Sequence, residues 1–144
     1  MIIRRMLPSD TKAMAVIEEE TFSDPWSEES FLKEATEKDH IYLVVEDTGN
    51  LIAYCGMWNI AGEGYITNVC VKKEKRRQGI GKLMLVSLLE QAKLCKIEAV
   101  TLEVRESNQS AIHLYEQLGF QSVGKRRDFY AHPTENAIIM WLNF

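Results

Sequence analysis

The sequence has too few cysteines, too far apart, to be held together by disulfides. Cys55, Cys70 and Cys95 are the only three. Their odd number, wide spacing and apolar neighbours argue against both a disulfide framework and a zinc site. Each reads as a small thiol that packs as a hydrophobe, and no metal is expected. Long apolar runs are also missing: none approaches the roughly 18 residues that cross a bilayer. The opening MIIRRMLPSD lacks the longer apolar core of a secretion signal, so a cytoplasmic protein without a membrane partner is expected. Nor is there an excess of positive charge. The net charge of -4 speaks against a general nucleic-acid binder, and no direct nucleic-acid contact is expected. Internal repeats and low-complexity tracts are absent.

What is present suits one domain spanning residues 1–144. The charge is not evenly spread. From Glu18 to Asp39 acids dominate, with Lys33 and Lys38 the only bases, whereas Lys72 to Lys82 holds six bases and one acid. Opposite signs in two segments suggest two charged partners, or simply two solvated surfaces.

Residues 2–6 predict a short strand. Ser9 is a candidate cap for a helix to about Phe22, with Met14, Ile17 and Thr21 on one side. SDPW at 23–26 reads as a turn, and Ser27 as the cap of a second helix to about Glu37. Strands follow at 41–46 and 51–58, joined by the hairpin signal DTGN, and at 65–71 after AGEG. A third helix carries Ile80, Leu83, Met84, Leu88 and Leu94 at helical spacing and ends near Cys95. Residues 97–104 alternate, with Val100, Leu102 and Val104 on one face and Thr101, Glu103 and Arg105 on the other. Ser107 or Asn108 caps a short helix with Ala111, Ile112, Tyr115 and Leu118 on one side, stopped by Gly119. Two strands, 120–130 and 136–144, complete a β-α-α-β-β-β-α-β-α-β-β order: an α+β fold around a single mixed sheet.

The join between strand 65–71 and the third helix is the most specific feature. Two familiar phosphate loops fail there. Gly81-Lys82 is followed by Leu83, not Ser or Thr, and Arg76 stands where a P-loop has its first glycine. A dinucleotide fingerprint needs glycine where Met84 stands. What survives is Arg-x-x-Gly-x-Gly at Arg76, Gly79 and Gly81. Bare backbone, unpaired amides at a helix start and the charges of Arg76, Arg77 and Lys82 all favour an anion. The two glycines alone also fit a plain turn.

Arg76-Arg77-Gln78-Gly79-Ile80-Gly81 resembles the pyrophosphate loop of the GCN5-related N-acetyltransferases. DPWSEESF (24–31), LEVRESNQSAIHLYEQLGF (102–120) and RRDFYAHPTENAIIM (126–140) resemble its bacterial ribosomal-protein alanine subfamily, the RimI type. The resemblance implies a splayed central strand pair, with the cofactor acetyl-CoA held by Val69, Cys70 and Val71, by the loop from Arg76 through Lys82, and by Asn108. It implies direct transfer, so Cys70 is not expected to be a nucleophile. It assigns the base to Glu103 and places Tyr115 near the thioester sulfur as the acid. The implied acceptor is a basic protein N-terminus, that of small-subunit ribosomal protein S18. A monomer or weak dimer is expected.

Physical chemistry supports such an acceptor. At neutral pH an α-amino group, with a pKa near 7.7–8.0, is easier to deprotonate than a lysine by roughly 3 to 4 kcal/mol. Tyr115 reads two ways, since its stripe with Ile112 and Leu118 is also what a core tyrosine looks like. Asn108 is also a plain cap candidate. Trp26 reads either as a wall of the acceptor pocket or as a buried staple for its loop. Glu18, Glu19, Glu20, Asp24, Glu28 and Glu29 are expected to attract the basic peptide, and Glu28 and Tyr130 to line its groove. Acetylation of a lysine or a small amine, a regulator that binds coenzyme A without turnover, and an RNA-binding module are the competing readings.

Overall fold

The computed structural model describes residues 1–144. Its elements are β1 (Ile2–Arg5), α1 (Thr11–Thr21), α2 (Glu28–Thr36), β2 (His40–Asp47), β3 (Asn50–Ile60), β4 (Glu63–Val71), α3 (Ile80–Leu94), β5 (Ala99–Arg105), α4 (Gln109–Gln117), β6 (Gln121–Ala131) and β7 (Thr134–Asn143). The order is the one that the periodicities predict. All strands join one sheet, β1-β2-β3-β4-β5-β7-β6. Every neighbouring pair is antiparallel except β4–β5. The result is an α+β fold with a mixed sheet between helices. No helix is long and apolar enough to cross a membrane.

Around β2 the sheet is covered on both sides, which explains the unbroken apolar run in that strand. Ile41, Leu43 and Val45 pack with Met84, Leu85 and Leu88 of α3, while Tyr42 and Val44 pack with Met14 and Ile17 of α1 and Phe31 of α2. Alternation along a strand sends neighbours to opposite faces, so a strand buried on both faces is apolar throughout. The DTGN hairpin forms with Thr48 and Gly49 both at positive φ (50° and 83°), as a two-residue turn of matching twist requires. Ser27 caps α2 by accepting the Ser30 N–H.

Two local expectations are corrected. Ser9 does not cap α1. It lies in a 3-10 turn, and Asp10 instead accepts the Leu7 N–H at 2.7 Å while pairing with Arg4. The 3-10 turn Pro8–Asp10 delays the start of α1 to Thr11, which leaves Ser9 one residue short of the cap position, and no side chain caps α1. Leu83 and Leu94 are solvent-exposed, and Leu85, Leu89 and Ala92 complete the buried stripe of α3.

One feature of the sheet positions the site. β4 and β5 pair only at Glu63–Ala99, Gly64–Val100 and Tyr65–Thr101, then part. On the opposite edge the β3–β4 register slips: Gly56 pairs with Asn68 and Met57 with Ile66, leaving Thr67 as an extra residue. Such a bulge bends the strand that carries it, and this one lies just past the last β4–β5 pair. Tyr42 fixes it, its hydroxyl meeting the Thr67 hydroxyl at 2.6 Å and donating to Asn68 Oδ1 at 3.3 Å. Gly56 is required beneath that ring, because a Cβ there would fall 1.9 Å from Tyr42.

Candidate active site

A groove of about 660 Å³ opens where β4 and β5 part. Glu103 and Tyr115 both line it, from β5 and α4 respectively. Glu103 sits on the polar face of β5, as alternation predicts, with Leu102 and Val104 buried on the other. Its carboxylate is largely covered, accepts the Tyr65 hydroxyl at 2.8 Å and lies 4.0 Å from Arg126 Nε.

The Tyr115 ring is buried against Phe120, yet its hydroxyl has no hydrogen-bond partner within the chain. Burial pushes its pKa above the ordinary phenol value, so the group stays protonated through the neutral range. The two sequence readings of Tyr115 are therefore compatible, because the ring belongs to the core and the residue also faces the groove.

Tyr130 and Trp26 line the groove as well. The Arg105 guanidinium lies 4.4 Å from the Tyr130 ring centroid. Burial first, then Glu103, pushes the Tyr130 pKa up to about 12. Trp26 is half-buried against Phe31 and Tyr42, at centroid distances of 5.4 and 6.4 Å, so its ring both packs beneath the loop and borders the groove. Glu28 is not part of the lining. It stands exposed in the first turn of α2, where an acid complements the helix dipole.

Glu18 is not a solvent-facing charge. It is 3% exposed, accepts the Tyr54 hydroxyl at 2.5 Å and the Trp26 N–H at 3.0 Å, and borders the groove. Glu20 borders a separate cavity beside Lys72 and Lys75. Of the expected acidic cluster, only Glu18 and Asp24 reach the groove.

β4 and the loop after it present main chain rather than side chains. Cys70 is buried, its thiol donating to Thr21 at 3.5 Å and pushed up in pKa by burial, which makes it a poor nucleophile. Lys72 N–H pairs with β3, so alternation turns the main-chain groups of Val69 and Val71 toward the gap. The Val71 carbonyl there accepts Arg76 Nε at 3.0 Å. No acceptor within the chain takes the amides from Arg77 through Lys82. Arg77 and Gly79 are left-handed, at φ 64° and 77°, and Arg77, Gln78 and Lys82 are exposed. Successive amides in such a conformation form an anion-binding concavity. The Ile80 side chain is buried in the core, leaving only its amide outward. A Cβ on Gly81 would fall 3.6 Å from Leu114, a groove residue, so loop and groove are contiguous. Asn108 borders the groove while its side chain caps α4 by accepting the Ala111 N–H.

Sequence reading missed the roles of Tyr65, of Ser23 and His132, and of Arg105, and gave Asp24 a different one. Tyr65 shares the polar side of the β4–β5 pair with Glu103, a signal present in the alternation of YITNV but usable only once the register is known. The groove's far end is clasped by Ser23, which donates to the His132 carbonyl at 2.5 Å, and by Asp24, 3.0 Å from His132 Nδ1. Arg105 holds the same β6–β7 turn through the Pro133 carbonyl at 2.9 Å.

Residues 11–120 match the model of the Acetyltransferase (GNAT) family. A Bacillus subtilis protein provisionally named as a ribosomal protein bS18-alanine N-acetyltransferase is 37% identical over 141 residues, covering 97% of this chain and 93% of that one. The Escherichia coli ribosomal protein bS18-alanine N-acetyltransferase is 33% identical over 138 residues, covering 93% of this chain and 91% of its own. The crystal structure of the E. coli enzyme superposes with a TM-score of 0.91 at 30% identity, across 99% of this chain and 92% of that one. A parted strand pair, an amide-lined helix entrance and likeness of this extent lead to one conclusion: the chain belongs to the GNAT family of acetyltransferases.

Proposed function

We propose that the protein transfers acetyl from acetyl-CoA to the N-terminal α-amino group of an alanine-starting protein, ribosomal protein bS18, in the cytoplasm. The observation that carries this reading is the meeting of Glu103 and Tyr115 in one groove that continues to the free amides of Arg77–Lys82. The relatives' names supply the acceptor.

The residues suit coenzyme A. Amides at a positive-φ helix entrance, with Arg76, Arg77 and Lys82 near, favour a pyrophosphate. The main-chain groups of Val69 and the Val71 N–H, facing the gap, favour an amide-bearing arm, since such groups need partners, while the Val71 carbonyl is already taken by Arg76. When bound, acetyl-CoA supplies an electrophilic thioester carbonyl and a thiolate leaving group. Glu103 takes the ammonium proton, directly or through a water, freeing the lone pair that attacks. Tyr65 orients that carboxylate. Tyr115, a protonated phenol at neutral pH whose pKa burial raises further, donates its proton as the carbon–sulfur bond breaks, and the second proton of the attacking nitrogen returns to the Tyr115 phenolate. The same apolar surroundings raise the basicity of the leaving sulfur.

Mass spectrometry tests the reading. A basic alanine-starting peptide incubated with acetyl-CoA and the protein should gain one acetyl group on its terminal amine, and an N-blocked lysine-containing control none. Acetyl on lysine alone overturns the acceptor assignment.

A further inference from the structure

Glu18 is a buried acid with no cationic partner, an arrangement that costs stability unless both oxygens are well satisfied. They are satisfied by two neutral donors from different elements. Oε1 takes the Tyr54 hydroxyl of β3, and Oε2 takes the main-chain N–H of Trp26, in the loop that leads to α2. That loop is held at its other end by Ser23 and Asp24 on His132. Trp26 is thus fixed by its own amide, while its ring leans on Phe31 and Tyr42 and lines the groove. Without the Glu18 anchor, ring packing and the clasp at Ser23 and Asp24 would be all that holds it.

We infer that Glu18 is a positioning residue that sets which first side chain the groove accepts, by fixing Trp26 as a rigid wall. This rests on the acetyl-transfer reading above. A rigid aromatic wall limits the size of the side chain beside the reacting amine, and an apolar pocket discriminates by roughly 10–200-fold for a methylene-scale difference. A carboxylate suits the post because both its oxygens accept, whereas an amide offers only one acceptor. Glu18→Gln still has an oxygen for the Trp26 N–H, and its NH2 can donate to Tyr54.

The test compares kcat/KM for two basic peptides, identical except for Ala or Leu at the first position, together with hydrogen exchange of the Trp26 amide. Wild type should favour Ala by at least about tenfold. Glu18→Met, close in length but without an acceptor, should cut that preference roughly tenfold, chiefly through a lower KM for the Leu peptide. It should also speed Trp26 exchange while leaving coenzyme A affinity, measured by calorimetry, unchanged. Glu18→Gln should restore both preference and protection. If Glu18→Met does not fold, Trp26→Ala reads the wall directly and must show the same loss of preference. An unchanged Ala/Leu ratio in Glu18→Met, or in Trp26→Ala where that takes its place, overturns the inference, as does unaltered Trp26 exchange in Glu18→Met. A wild type that acetylates neither terminus is a different result and removes the acetyl-transfer reading itself.

Discussion

The two ends of the groove are built from different materials. At the loop end the groups on offer are backbone amides and exposed basic side chains, local in sequence between Arg76 and Lys82. At the carboxylate end they are side chains from distant segments: Glu103 meets Tyr65 from 38 residues away, and Glu18 meets Tyr54 from 36. A backbone site tolerates change in most side chains, because its donors do not depend on them. A side-chain site fails when one partner is lost. Binding at the first end should therefore respond mainly to charge and conformation, and chemistry at the second to single atoms.

The sharpest way to break this contrast is Glu103→Gln. It should lower turnover by about 10²–10⁴-fold, most severely at low pH where more of the amine is protonated, with coenzyme A affinity intact by calorimetry. A loss of coenzyme A binding instead would mean that the two ends are not separable.

Tyr115→Phe should lower kcat by about 10²-fold with little change in thermal midpoint, since only an unpartnered hydroxyl is removed. Burial raises this phenol's pKa, so its protonated form is lost only above the ordinary value near 10. The wild-type kcat profile should accordingly show no falling limb below about pH 10. Stability lost without any loss of rate would leave Tyr115 to the core alone.

At the loop end, reversing Arg76 and Arg77 to Glu should weaken coenzyme A by roughly 10–100-fold and flatten its salt dependence, while kcat at saturation holds. An unaltered affinity would leave the anion site unsupported.

Asp10→Asn is the smallest effect and the control outside both ends. Its carboxyl is held below the usual range chiefly by the Arg4 hydrogen bond. A depressed carboxylate contributes stability above its unfolded pKa and loses it as pH falls through the folded value. The substitution should cost about 1 kcal/mol at neutral pH, vanishing in acid, with no effect on acetyl transfer. Urea melts at two pH values check it.

These contrasts follow what could be read from the chain alone. Ser27 and Asn108 as caps, the DTGN hairpin and the Arg-x-x-Gly-x-Gly entrance were legible because each depends on residues within a turn of one another. The polar face of β5 was legible for the same reason. The burial of Glu18, the 3-10 turn that takes Ser9 away from the start of α1, the solvent-facing Leu83 and Leu94 and the Tyr65–Glu103 bond were not. Each depends on which element packs above or beside it. Six acids near Trp26 looked alike in sequence, yet Glu18 is a buried anchor, Glu20 borders a second cavity, and Glu28 and Glu29 lie in the first turn of α2.

By itself, the sequence determined the elements, their order and a helix entrance stripped of side chains, since backbone conformation and periodicity are local properties. Only the tertiary structure decided where β4 leaves β5, through the Thr67 bulge held by Tyr42, and which side chains meet in the resulting gap. Register across a sheet is fixed by burial on both faces at once, and no single stretch of chain carries that information.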